Sequence, residues 1–451
     1  MLGMNFNLKY SFNYVVFLTG FGLCLCFILT HTWMKVTPRT CSSVAVTTSV
    51  HSRRRFVEKH TMKKDNTWID DFQPVTIEET VIVYSAYADG KTKVRVIGIT
   101  NDTKADLHCI LWYSSFNVTT KLVKASIANI NENHGKSHTA AYFVCYLSGL
   151  DVPDAVSIVT FSTIHNPLNI LPVHVKPQLK TQKHFTMCLS PMHSSFSDSS
   201  QLLEWIELHK ILGVERFLIY VQSISNDVKQ VLKFYEQENN LMVSSLPWSL
   251  SDDLCNDVIL HYCGQLAALN DCLYRSKGYS YYIAATDLDE VIIPQHKDDF
   301  TWLDMLLNLP DHSVYLFRNS FVIRNLKNSA GIKENKHLMT DYLMRDDFIY
   351  GPRDRSKIIS WTDDVVTLGI HSVWAMRSGD EYGVDPNVGL LHHYRKSPVA
   401  YSEGVHVTRL KSNVTVKYSQ DLRERVSLVR EKIKTSSPKH RIFMTFYGII
   451  L

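Results

Sequence analysis

Residues 281–294 read YYIAATDLDEVIIP and set Asp287, Asp289 and Glu290 between two apolar runs. Carboxylates crowded together away from water repel one another and lose hydration unless a positive partner joins them. A divalent cation is the usual partner, because hard cations prefer oxygen ligands. Held at a strand end by two carboxylates, such an ion bridges the phosphates of a bound substrate. The pattern Asp-x-Asp arises readily by chance in a chain of this composition, so its setting has to distinguish it.

The setting is a chain whose hydrophobic period keeps switching. FTMCLS (185–190), ERFLIYV (215–221), LMVSSLP (241–247) and YSYYIAAT (279–286) read as strands. Between them, QLLEWIELHKILG (201–213) has apolar residues at helical spacing and a closing glycine. NDVKQVLKFYEQEN (226–239) opens on good cap residues, and HYCGQLAALNDCLYRSKG (261–278) reads as a third helix. The order β-α-β-α-β-α-β predicts an α/β fold, a mostly parallel sheet with flanking helices. In such sheets ligands bind outside the carboxyl ends of strands, and the three acids follow one.

Upstream, VIVYSAY, KVRVIGI, LHCILWYSS, AAYFVCYL and AVSIVTF are short apolar runs broken by turn residues. They predict a small β-rich domain over 76–175, with Cys109–Cys145 a plausible bridge. The Pro-rich link LPVHVKPQLK (171–180) precedes a catalytic domain over 180–445. Residues 34–75 are polar, basic and without period, and read as a stem. Residues 14–30 carry no charge and, with their flanks, suffice for one membrane-spanning helix over 12–33. A cleaved signal peptide is the alternative; the length of the run and the His31, Trp33 and Met34 after it favour an uncleaved signal-anchor behind a cytoplasmic tail of residues 1–11. Flanking charge does not favour that orientation. Sequons at Asn101, Asn117 and Asn413, and seven of nine cysteines beyond the span, do. With 451 residues, 20% charged, and a net charge of +4, the chain has room for two or three domains. It has no basic footprint for nucleic acid, since Arg53–Arg55 is too short a cluster.

Three chemistries fit the acids. One is metal-assisted transfer from a nucleotide sugar. A second is a phosphatase of the haloacid dehalogenase type, with Asp287 as nucleophile and Asp363–Asp364 as the later acidic pair. A third is a membrane-anchored carbohydrate-binding or adhesion ectodomain with a structural cation and no catalysis. Seven blocks decide among them: FTMCLSPMH, LLEWIELHKILGVERFLIYVQS, GQLAALNDCLYR, YYIAATDLDEVIIP, RSKII, GIHSV and LLHHYRKS. In this order, across about 80–410, they resemble glycosyltransferase family 92. The resemblance implies a nucleotide-sugar-binding A-type glycosyltransferase fold and a single-pass type II Golgi membrane protein with its catalytic domain in the lumen. It also implies an inverting hexosyltransferase that moves galactose from UDP-galactose, with Mn²⁺, onto a glycan acceptor such as fucose of N-glycans.

Carried over by position, the resemblance makes Asp287 and Asp289 metal-binding and catalytic acids and His393 the third metal ligand, in preference to His392. Gln265, Asn270 and Asp271, in the GQ…ND block, become donor-binding candidates, though capping or helix–strand bonding would also explain Asn270 and Asp271. Lys357, Arg395 and Lys396 could balance the diphosphate. Glu290 is expected either to orient the acceptor or to brace a turn, and His371 to border an acceptor pocket. Asp380–Glu381 offers acids for a general base, which no motif singles out.

Overall fold

The structure, a computed structural model, describes residues 70–101, 104–114, 119–149, 151–238, 242–324, 338–396 and 407–436. The anchor expected at 12–33, nearly all of the stem, and Asn117 lie outside these residues. No helix among the described residues is long and apolar enough to cross a membrane.

The β-rich segment forms eight strands: β1 (Gln73–Pro74), β2 (Val81–Asp89), β3 (Lys93–Thr100), β4 (His108–Tyr113), β5 (Thr119–Asn129), β6 (Thr139–Tyr146), β7 (Ala155–Val159) and β8 (Leu171–His174). They pair in the order β1-β2-β3-β6-β5-β4-β7-β8, and β8 returns to β2, closing a barrel. Closure removes the exposed edges that an open sheet would leave. Side chains that alternate inward, among them Val83, Val94, Val96, Leu111, Phe143 and Ile158, fill the barrel. The expected Cys109–Cys145 disulfide joins β4 to β6 inside it.

The second sheet begins with β9 (Lys183–Met192), β10 (Arg216–Val221), β11 (Met242–Pro247) and β12 (Ser280–Ala285). Their order is β11-β10-β9-β12, all parallel. From β9 the chain winds outward to β10 and β11, then returns to place β12 on the other side of β9. This reversal opens a crevice between the carboxyl ends of β9 and β12, where open α/β sheets bind ligands.

The helices between these strands follow from their caps. Asp198 accepts from the Gln201 amide to start α1 (Ser199–Ile211), which ends before Gly213 at φ +99°. Ser225 caps α2 (Asn226–Glu236), whose Val228, Val231, Leu232 and Tyr235 form one buried stripe. The third helix is shorter than its sequence suggests. Residues His261–Gly264 form a separate tight turn with Tyr262 and Cys263 at positive φ, and α3 runs from Gln265 to Ser276. Gly264, at φ +82°, makes the junction, and Cys255–Cys263 ties the turn back.

The remaining elements depart from a mostly parallel sheet. After β13 (Glu290–Pro294) and α4 (Trp302–Leu307) come β14 (Val314–Phe317), β15 (Asn319–Ile323), β16 (Met344–Asp346), β17 (Lys357–Trp361), β18 (Val365–Leu368), β19 (Val373–Met376), β20 (Glu381–Gly383), β21 (Gly389–Arg395) and β22 (Arg409–Lys411). Strand β17 pairs antiparallel with both β12 and β14, and β20 closes this seven-stranded sheet. A five-stranded sheet, β13-β21-β15-β16-β22, stands beside it. The closing helix α5 (Val416–Ser436) buries Tyr418, Leu422, Val426 and Val429 in the core shared with α1 and α2.

Helix α3 is buried on nearly every face because the barrel packs against it. Tyr84, Ile97, Ile99 and Tyr142 of the barrel share a core with Leu266, Ala267, Leu269 and Leu273. Two polar residues of the helix complete this joint. The Asp271 carboxylate accepts from Ser85 Oγ at 2.6 Å, Tyr87 OH at 2.5 Å, Tyr220 OH at 2.7 Å and Arg275 Nε at 3.0 Å. Asp271→Asn is expected to destabilise the chain by about 2 kcal/mol, because the amide keeps an acceptor but loses the charge facing Arg275. Chemical denaturation of the two proteins measures it, and an unchanged midpoint would remove the carboxylate from this joint.

Candidate active site

Strand β12 ends at Ala285, and a turn of four residues carries the chain into β13. The Glu290 amide donates to the Asp287 carbonyl at 3.1 Å, and the Asp287 amide donates to the Glu290 carboxylate at 3.2 Å. Glu290 thus braces the turn that presents the two aspartates. Register does the rest. Antiparallel pairing sets Glu290 opposite His393 on β21. Because side chains alternate along a strand, His393 faces the acids while His392 points away. His392 is buried with Nε2 unpartnered, and burial pulls its pKa down to about 3.

Asp287, Asp289, Glu290 and His393 line a cavity of about 470 Å³. Ser190, at the end of β9, donates to Asp287 Oδ1 at 3.1 Å, and Gln265 Nε2 reaches Ser190 Oγ at 2.8 Å and Asp287 Oδ1 at 3.3 Å. The Lys357 ammonium lies 3.1 Å from both Asp287 and Glu290, with its side chain only 3% exposed. Burial disfavours the Asp287 anion, but Lys357 and the hydrogen bonds hold its carboxyl below the usual range. Glu290 goes the other way: burial raises it, and the Lys357 charge offsets only part. The same two carboxylates raise Lys357 despite its burial.

On the open side, His393 Nε2 lies 3.3 Å from Asp289 Oδ2. Its Nδ1 is 3.2 Å from Glu290 Oε1 but misaligned, so it makes no hydrogen bond. Asp289 is about one-third exposed, at 32%. An oxygen and an imidazole nitrogen thus share one point on the cavity floor. Among the described residues no three His, Cys, Asp or Glu side chains converge as a complete metal-holding set. A cation here would need ligands beyond the protein's own.

Several expected residues stand elsewhere. Asn270 and Asp271 do not line the cavity and are corrected from donor contacts to joint residues. Asn270 Oδ1 accepts from Tyr142 OH and the Leu368 amide, and its Nδ2 donates to the Leu266 and Leu368 carbonyls, so every valence is filled within the protein. Lys357 lies beneath the acids as their counter-ion, not on the wall facing a diphosphate. Asp380 pairs with His312, and Glu381 with Arg353, away from the cavity lining. Asp363 pairs with Lys176, and Asp364 accepts from Ser313 and Ser378, so neither joins Asp287 as a phosphatase would require.

The wall adds Arg355, His193, His134 and His261, which the motifs did not single out, to the expected Arg395 and His371. Arg355 opens the RSKII block, and its guanidinium lies 5.8 Å above Phe321; Arg395 lies 5.6 Å from the same ring. Both line the cavity, as do His371, His193, His134 and His261. His134 comes from the barrel, where its ring lies 3.9 Å from that of His261. Burial lowers His371 and His193, and burial with His134 beside it pulls His261 down to about 4. The lowered values leave His371, His193 and His261 neutral at neutral pH. The barrel's nearness in space had no local signal in the sequence.

The sequence pattern of glycosyltransferase family 92 matches residues 183–439. A family 92 protein of Caenorhabditis elegans, F13G3.3, is 24% identical over 337 residues, covering 70% of this chain and 62% of that one. The beta-1,4-galactosyltransferase galt-1 of the same organism is 23% identical over 184 residues, covering 39% of this chain and 42% of its own. The chain therefore spans less than two thirds of the length of either relative. Among solved structures, S. aureus TarS 1–349 overlaps 40% of this chain and 47% of its own at 14% identity, with a TM-score of 0.25, too slight a likeness to argue from.

Proposed function

Since the chain belongs to glycosyltransferase family 92, we propose that this cavity binds a nucleotide sugar and transfers its hexose, with inversion, to a glycan hydroxyl. The observation that carries the reading is the meeting of Asp289 and His393, 3.3 Å apart, with Asp287 at the β9/β12 crevice. The galactosyltransferase named among the relatives favours UDP-galactose as donor, and a fucose of N-glycans is the acceptor proposed.

One carboxylate oxygen and one imidazole nitrogen suit Mn²⁺ better than Mg²⁺, and such an ion would draw further oxygen ligands from a bound diphosphate. Asp289 and His393 would hold the ion, with Asp287 beside them. Bound there, Mn²⁺ would offset the charge of the departing nucleoside diphosphate. Arg355 and Arg395, fixed over Phe321, are placed to take the phosphate oxygens that remain. Lys357 keeps Asp287 ionised, and Glu290 holds the turn that presents the aspartates. The acceptor enters from the histidine-lined side. A neutral His193 or His371 there can take its hydroxyl proton as the new bond forms. An in-line displacement needs only that the acceptor oxygen face the anomeric carbon opposite the diphosphate.

We also propose a type II Golgi address, supported by the uncharged stretch at 14–30 and by Asn101 and Asn413, both exposed. In the site, His393→Ala is expected to weaken Mn²⁺-dependent UDP binding about tenfold, ~1.4 kcal/mol, while His392→Ala leaves it within twofold. Titration calorimetry with and without Mn²⁺ separates the two variants. An unchanged Mn²⁺-dependent affinity in His393→Ala removes that residue from the site.

A further inference from the structure

A second cavity, of about 220 Å³, opens between the barrel and the amino-terminal ends of β10 and β12, at the other end of the strands from the acids. Tyr87 and His174 of the barrel line one side, and Arg216, Arg275, Lys277 and Tyr279 the other. Arg216 begins β10 and is only 5% exposed. Its guanidinium lies 4.7 Å over the Tyr279 ring. Nη1 reaches only the Arg275 carbonyl at 3.3 Å and Ser276 Oγ at 3.4 Å, and Nε is buried without a hydrogen-bond partner. Among the described residues no carboxylate stands within ion-pair distance of it.

The neighbouring charges do not supply one. Arg275 already engages both nearby acids, Asp70 at 2.6 Å and Asp271 at 3.0 Å. Lys277, 8% exposed, donates to the Thr362 and Val365 carbonyls at 2.5 and 2.7 Å and likewise has no carboxylate within ion-pair distance among the described residues. Burial pulls Lys277 down to about 8, and burial with Arg275 beside it pulls Arg216 down to about 10. A buried cation without an anion is costly, and here two border one water-accessible cavity. Planar guanidinium donors match the paired oxygens of an oxyanion.

We propose that this cavity is an oxyanion site, separate from the catalytic one, that takes a sulfate, phosphate or carboxylate group, either free or borne on a sugar. A charged group on a glycan held here would keep that glycan on the enzyme while another part of it is processed.

The test is thermal unfolding of the full-length protein in detergent, titrated with sodium sulfate against sodium chloride of equal ionic strength. Sulfate also stabilises proteins generally by exclusion from their surface, an effect that rises without saturating. Wild type is expected to add a saturable increment that Arg216→Gln removes, while the UDP affinity of the catalytic cavity stays within twofold. Lys277→Met should reduce the increment and serves if Arg216→Gln does not fold. Galactose 6-sulfate saturating at lower concentration than sulfate would mark the anion as sugar-borne; equal saturation would mark it as free. A sulfate response that never saturates in wild type, or one that saturates alike in wild type and variant, overturns the proposal. The assay does not depend on transfer activity, so it stands apart from the proposed reaction.

Discussion

Asp289→Asn is expected to lower hexose transfer about a thousandfold, ~4 kcal/mol of barrier, with little change in stability. The side chain stands on the cavity floor beside His393 Nε2, where it would share a cation with the donor. The amide keeps the shape but neither the charge nor the basicity. Stability should hold within about 1 kcal/mol. Losing one of three clustered carboxylates relieves repulsion, and the lost His393 contact is partly exposed. Steady-state kcat/KM with a sugar nucleotide, beside a thermal melt, reads both quantities. Near-full activity in a folded variant would take Asp289 out of the chemistry.

Lys357→Met should act the other way, through the fold. Methionine preserves the bulk of the stem but leaves Asp287 and Glu290 without their shared cation. Breaking a buried charge pair from one side typically costs about 3–5 kcal/mol. The pH dependence follows from the carboxylates. In the wild type Asp287 is held below its ordinary value, so its stabilisation is present at neutral pH and fades as pH falls through the carboxylate range. Without Lys357, burial raises Glu290 further, and Asp287, whose side chain is 38% exposed, loses the charge that holds it down. Groups raised by folding stabilise most below their unfolded pKa, about 4, and lose that stabilisation as pH climbs through the folded value. The gap between the two proteins should therefore be narrow near pH 4 and widest at neutral pH. Denaturant unfolding across that range measures it. A gap below about 1 kcal/mol, or one flat with pH, would mean that the ammonium does not neutralise this cluster.

Much of this site was legible because local pattern and fold agree. Strand-period runs at 185–190 and 279–286 correspond to β9 and β12, and the acids fall at the end of the second by chain order alone. The Glu290–His393 contact is a register fact that no window of sequence contains, although the late histidine block pointed to its second half. Asn270 and Asp271 misled because a helix with polar residues near a motif looks like a ligand-binding face. Only the barrel, packing from 100 residues or more away, turns that face inward. Lys357 and Arg355 lie two positions apart in one block, and which of them meets the cavity depends on where β17 begins. The Cys109–Cys145 bridge was visible from its flanking apolar runs, whereas Cys188–Cys272 needed the α3–β9 contact to be known.

The most direct test of the central claim is transfer itself. Full-length protein, purified in detergent, would be incubated with Mn²⁺, a panel of UDP- and GDP-hexoses and a fucosylated N-glycan. The products would be read by mass spectrometry and the new anomeric centre by NMR. The expected product carries a single added hexose with inverted configuration, forms best from UDP-galactose, and is lost on chelation. No transfer or donor hydrolysis with any sugar nucleotide, or a product insensitive to chelation, would contradict that claim.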